Sequence, residues 1–167
     1  MQACETRLQD GSTPLYHACL LGHVDIVHHL VRAGANVRAP TLGLSRPLLI
    51  AAANGHVPCV HAMLKAGAPV DDEDKYGACA LLAAAAHGQH GVVKDLLEAN
   101  ADPQMRDKEG RSALCLAAKA ALKQAISLRS AQAGSAAHFR CVVVVVFITC
   151  TKDDVFGRHL GIPRFRI

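Results

Sequence analysis

The side chains of this chain that are best suited to chemistry belong to histidine and cysteine, which number ten and seven among its 167 residues. Both bind zinc, and a cysteine beside a histidine can act as a nucleophile. The cysteines form no C-x-x-C pair, and their odd number without a visible signal peptide favours reduced thiols in a cytoplasmic or nuclear protein. Whether any of them form a site depends on the elements that position them.

Charged residues are nearly balanced over most of the chain. Residues 1–129 carry a net charge of +1 and residues 130–167 carry +3. A nearly neutral body offers no electrostatic footprint for a phosphate backbone, so we expect no nucleic-acid partner. There is no tryptophan and only 4% of the residues are aromatic, which favours small, closely packed helices over a β-sandwich.

A period of 33 residues runs through the chain. A fixed period of this length indicates stacked repeats, each of which is one supersecondary unit. A second set of glycines, Gly11, Gly77 and Gly110, shares the step, but Leu44 interrupts it. The registers that keep the step are Gly22, Gly55 and Gly88, then Leu15, Leu48, Leu81 and Leu114, then Ala18, Ala51, Ala84 and Ala117, and then Ala35, Ala68 and Ala101.

The residue types within one unit predict two short helices and a loop. Thr13 can cap the first helix, Pro14 suits its first position, and Gly22 can end it in a left-handed conformation. A second amphipathic helix follows and stops at Gly34, and residues 35–42 form an extended, hairpin-like link. Neither helix is long enough to be stable alone, so each pair must stack on the next.

The pattern T-P-L-x-x-A, followed by G-H and by G-A at the same 33-residue step, resembles the ankyrin repeat. The resemblance implies an all-α solenoid of stacked helix-turn-helix pairs with hairpin-like loops. The repeat array spans residues 10–126, preceded by a remnant of an earlier repeat or a lead-in at 1–9 and followed by a non-repeat tail at 127–167 that we expect to be poorly ordered. Within the array the units are 10–42, 43–75, 76–108 and a partial fourth unit at 109–126.

Two units depart from the pattern where their first helices begin. Arg46 stands where the capping threonine belongs in unit two, and Cys79 with Ala80 replaces Thr-Pro in unit three. Loss of a good cap costs about 1 kcal/mol. We therefore expect less stable first-helix starts in both units.

The same pattern places the histidines and cysteines at structural positions. His28 and His29 fall at positions of the second helix that are normally exposed, and Cys19 and Cys59 fall at core positions, where cysteine behaves as a small apolar residue. For His23 and His56, in the G-H position, the resemblance implies a local hydrogen-bonding role. We therefore predict no catalytic, metal-binding or cofactor-binding residues, and G-x-x-x-x-G-K does not occur.

The resemblance implies that a partner binds to an inward surface formed by the first helices and to the tips of the loops. The acidic run at 71–74 lies in one such loop and is either a solvated loop or a tip that selects a basic partner segment. Tyr76 is a candidate anchor because exposed aromatic residues are favoured at interfaces. On the first helices the predicted binding residues are His17, Leu20, Leu21, Ile50, Asn54 and His87. At the loop tips they are Thr41, Leu42, Arg46, Asp74, Lys75, Tyr76, Asp107, Lys108, Glu109 and Arg111.

The predicted function is a non-enzymatic, monomeric interaction module that binds another protein or a peptide segment. The alternative is the substrate-recognition part of a larger enzyme assembly, such as a ubiquitin-ligase adaptor or a kinase regulator. A membrane anchor is not expected from CVVVVVFITC at 141–150, because a spanning helix needs roughly 20 apolar residues. The valine run instead has the composition of an aggregation-prone strand, and we interpret the chain as a fragment or isoform of a longer array.

Overall fold

The structure is a computed structural model that describes residues 6–121, and within that range it contains helices and turns and no strand. The chain divides into two units, the first ending at Ala113 and the second beginning at Leu114. Residues 113–121 are helical up to the last described residue. Because all the regular elements of the described residues are helices, the predicted all-α class is confirmed. The preceding helices are α1 Pro14–Leu21, α2 Val24–Arg32, α3 Pro47–Ala53, α4 Val57–Lys65, α5 Ala80–Ala86 and α6 His90–Glu98.

The six helices of the first unit form two rows. The first helices α1, α3 and α5 pack side by side, the second helices α2, α4 and α6 pack in the same order, and each first helix also packs on its own second helix. The leucine and alanine registers are buried in the first unit, and Val27, Val60 and Val92 add buried side chains from the second helices. Leu114 continues the leucine register, but it is 58% exposed in the second unit, whereas Leu15, Leu48 and Leu81 are buried.

The starts of the first helices differ as the sequence predicts. The Thr13 hydroxyl accepts a hydrogen bond of 3.2 Å from the amide of Tyr16 and so caps α1. Arg46 and Cys79 occupy the same position before α3 and α5, and neither side chain makes a capping bond.

Tight hairpins at residues 8–12, 41–45, 74–78 and 107–111 each precede a helix, and two backbone hydrogen bonds close each hairpin. Consecutive hairpins are joined by one further backbone bond, again at a step of 33 residues. The amides of Leu42, Lys75 and Lys108 each donate to a carbonyl of the preceding hairpin, over 3.0, 3.4 and 3.1 Å respectively. The hairpins therefore form a continuous ladder along the edge of the array.

Leu44 explains why the middle bond of this ladder is the longest. Gly11 and Gly77 occupy the equivalent position in their hairpins with φ near +75°, and a Cβ on either would lie 3.0 Å from the incoming amide of the next hairpin. Leu44 keeps the left-handed conformation, with φ of +59°, although it carries a Cβ. A left-handed residue other than glycine costs about 1–2 kcal/mol, so this hairpin is both strained and less able to approach its neighbour.

The histidine of the G-H motif connects successive repeats. His56 Nε2 donates to the carbonyl of Leu20, 3.1 Å away in the preceding unit, and Gln89 makes the corresponding bond of 3.4 Å to Ala53. Gly22 leaves room for this contact, because a Cβ there would lie 2.6 Å from the His56 ring. The local role expected for this histidine is thus corrected: its hydrogen bond crosses to the preceding repeat.

Replacing Leu44 with glycine should stabilise the fold by about 1 kcal/mol, because the left-handed strain is relieved and the next hairpin can approach more closely. Urea unfolding followed by circular dichroism measures the change. Leu44→Ala is the matched control, since it removes the same large side chain and retains the Cβ. An equal gain from the alanine variant would contradict the strain argument.

Replacing His56 with alanine should destabilise the array by about 1 kcal/mol, because one hydrogen bond between units is lost. His56→Gln should cost less than about 0.5 kcal/mol, since glutamine already fills the same position at Gln89. His23→Ala supplies the control, because His23 is exposed and makes no side-chain capping bond. Equal losses from the His56 and His23 alanine variants in urea unfolding would refute the inter-repeat role.

Candidate functional site

One side of the first helices remains accessible after the rows have packed. We call it the first-helix face. Leu20 and Ile50 are half-buried on it, and Leu21 is 61% exposed, whereas Leu15 on the opposite side of α1 is fully buried. The residues of the first-helix face are His17, Leu20 and Leu21 on α1, Ile50 and Ala53 on α3 with Asn54 at its end, and Ala83 and Ala86 on α5 with His87 at its end.

The polar side chains of the first-helix face donate hydrogen bonds to other groups of the array. Asn54 Nδ2 donates to the carbonyl of Leu20 over 3.2 Å, and His87 Nδ1 donates over 2.9 Å to a carbonyl one turn earlier. Ser12 Oγ donates to the Asp10 carboxylate, so the contact of 2.9 Å between Ser12 Oγ and His17 Nε2 has the histidine as donor. This last bond ties the first-helix face to the first hairpin.

The hairpins that precede the first helices carry large exposed side chains at their tips. Leu42 is 78% exposed and Tyr76 is 63% exposed. Lys75 Nζ lies 4.8 Å from the centroid of the Tyr76 ring, a cation–π arrangement that holds both side chains at the tip. Lys108 and Glu109 are exposed on the fourth hairpin, and Thr41 is half-buried in the second.

Asp107 was predicted to contact a partner, and the structure places it inside its own hairpin. It is only 8% exposed, and its carboxylate accepts bonds from the amides of Glu109 and Arg111 and from the Arg111 guanidinium at 2.7 Å. Burial alone raises the pKa of Asp107, but the bonds from Arg111, its positive charge and the Glu109 amide outweigh burial and lower it. Asp107 and Arg111 therefore stabilise the fourth hairpin.

The acidic run at 71–74 also has structural partners. Asp71 accepts a bond of 3.1 Å from the amide of Asp102, and Asp72 lies 3.1 Å from Arg46 Nε in an ion pair that lacks hydrogen-bond alignment. Asp74 accepts two bonds, of 2.8 and 2.9 Å, from amides of its own hairpin. Three of the four acidic side chains thus hold loops in place, and the selection of a basic partner by this run stays a prediction.

Three buried cysteines, Cys19, Cys59 and Cys79, do not have the surroundings of a reactive thiol. Burial raises the pKa of Cys19 to about 12, with a smaller contribution from Cys59, and burial is also the main cause of the raised pKa values of Cys59 and Cys79.

Over residues 6–121 no three His, Cys, Asp or Glu side chains cluster as a metal site would require. In the same range, no helix has the length and apolarity needed to cross a membrane, and the valine run at 141–150 lies outside it, as does the predicted tail.

The exposed Leu44 side chain was not among the predicted binding residues. It is 48% exposed in the second hairpin, two residues from Leu42, and adds to the apolar surface of the tips. Its interruption of the glycine register was visible in the sequence. A leucine in a register of glycines indicates a side chain at a position whose left-handed backbone conformation favours glycine.

The buried thiols should react slowly with iodoacetamide at about pH 8, at least about tenfold more slowly than in denaturant, because only the thiolate reacts. Mass mapping reports Cys19, Cys59 and Cys79 separately, and the unfolded chain is the reference. Since their pKa values are raised in the fold, the stability that they contribute should fall as pH rises above 9.0. Fast labelling of Cys19 in the folded chain would restore the thiol-chemistry hypothesis.

Comparison with known proteins agrees with this geometry. A family profile described as ankyrin repeats in three copies matches residues 33–107, and a single ankyrin-repeat profile matches residues 10–42. No match to the chain is found among curated proteins. Because the two profiles together match more than half of the chain, and because the stacked helix pairs and hairpins recur at the same period, the chain belongs to the ankyrin-repeat family.

Proposed function

We propose that this chain is a non-enzymatic protein-binding module that holds a partner segment on the first-helix face and the hairpin tips. Ankyrin repeats are generally protein–protein interaction modules. The observation that carries the proposal is the exposure of Leu21 at the end of α1 and of Leu42 and Tyr76 on consecutive hairpins of a well-packed array. Exposed aliphatic and aromatic side chains of this kind contribute most of the binding energy in many interfaces.

We propose further properties of the module: its lack of catalysis, its oligomeric state and its location in the cell. The buried cysteines with raised pKa values support a module that is not a thiol enzyme. We propose that it acts as a monomer in the cytoplasm or nucleus, where thiols remain reduced. An adaptor role in a ubiquitin-ligase or kinase assembly is the alternative, and co-purification of ligase or kinase subunits is the result that would favour it.

Tyr76→Ala should lower the amount of captured partner at least about tenfold when the full chain is used as bait for quantitative mass spectrometry. Leu97→Ala is the matched control, because Leu97 is also a large exposed apolar residue and lies on the second helix α6. We expect its captured proteins to equal those of the wild type. Capture that is unaffected by Tyr76→Ala would argue against this binding surface.

A further inference from the structure

We propose that the partner presents an apolar, uncharged stretch of peptide to the first-helix face. The inference rests on the proposed function and adds the chemical class of the partner. It starts from a segregation of charge between the two rows. The second helices carry Asp25, Arg32, Lys65, Lys94, Asp95 and Glu98, whereas α1, α3 and α5 contain no Asp, Glu, Lys or Arg at all.

A charged partner side chain would find no counter-charge on this face. A charge that is buried without a partner costs several kcal/mol, so a lysine, arginine, aspartate or glutamate in the central contact would weaken binding. Asn54, His17 and His87 each use one donor on a hydrogen bond within the array, which leaves fewer polar groups on the face for a partner. The face therefore discriminates against charged segments.

Exposed apolar surface supplies the attraction. Leu21 is exposed at the C-terminal end of α1, and Leu42, Leu44 and Tyr76 are exposed on the second and third hairpins. Large apolar side chains that are exposed at a binding surface are covered when the partner binds. Burial of such side chains is worth about 25 cal/mol per Å² of apolar area removed from water.

The size of the side chains also changes along the face, which determines where the partner can be bulky. At one position of the 33-residue period the residues are Leu20, Ala53 and Ala86, so unit one projects a large side chain and unit three a small one. Ala86 is exposed, which leaves open space above α5. A large apolar side chain of the partner fits above Ala86.

Selection of random 16-residue peptides displayed on phage, with the full chain as bait, tests the proposed partner class. We expect the recovered peptides to bind through Leu, Ile, Phe or Trp and to carry no charge at positions whose replacement by alanine abolishes binding. For peptides that bind the first-helix face, affinity should change less than about twofold between low and high salt, because the first helices offer no Asp, Glu, Lys or Arg for an ion pair. Peptides that bind through lysine or arginine, with a steep salt dependence, would overturn the apolar class and leave protein binding intact.

Two substitutions test whether the peptides bind on the first-helix face. Ala86→Arg and Leu21→Lys should each lower peptide affinity at least about tenfold, because each buries an unpaired charge. Leu97→Arg on α6 should change it less than about twofold, and thermal unfolding shows which variants are folded. Full affinity in both folded first-helix variants would refute the location, and recovery of no binding peptide would count against the proposed function itself.

Discussion

The fold depends on contact between each repeat and the next. Helices of seven to nine residues are too short to be stable in water, and the largest part of their stability must come from burial against neighbouring pairs. The backbone bonds between hairpins and the His56 and Gln89 side chains fix the spacing of that stack. A residue that separates two units by even a few tenths of an ångström therefore weakens the interface between those two units.

This constraint determines which surfaces remain for function. The sides of a unit that face the preceding and following units are used for stacking, and the row of second helices carries the charged residues of the six helices. The accessible side of the first helices and the hairpin tips remain. Their rigidity has a direct benefit for binding, because side chains such as Tyr76 and Lys75 are already held in place and lose little freedom when a partner arrives.

Most of the fold could be predicted from the sequence because its period fixes it. Thr13 and Gly22 mark both ends of α1, as expected, whereas α2 ends at Arg32, slightly before the predicted stop at Gly34. The inter-repeat reach of His56 could not be predicted from the residues of its own unit, because its acceptor belongs to the preceding one. Asp107 shows the same limit: a position at a loop tip does not reveal that the carboxylate turns inward to meet amides of its own hairpin.

The strained leucine of the second hairpin has a consequence for how the array moves. In a stack where each unit touches only its neighbours, the backbone ladder between hairpins is most easily opened at its longest bond, which is the 3.4 Å bond donated by the Lys75 amide. Leu42 and Tyr76, on the two hairpins that would separate there, are among the most exposed apolar side chains. A partner that spans both hairpins would hold this joint closed, so that binding at the tips and the mechanical continuity of the array become thermodynamically linked.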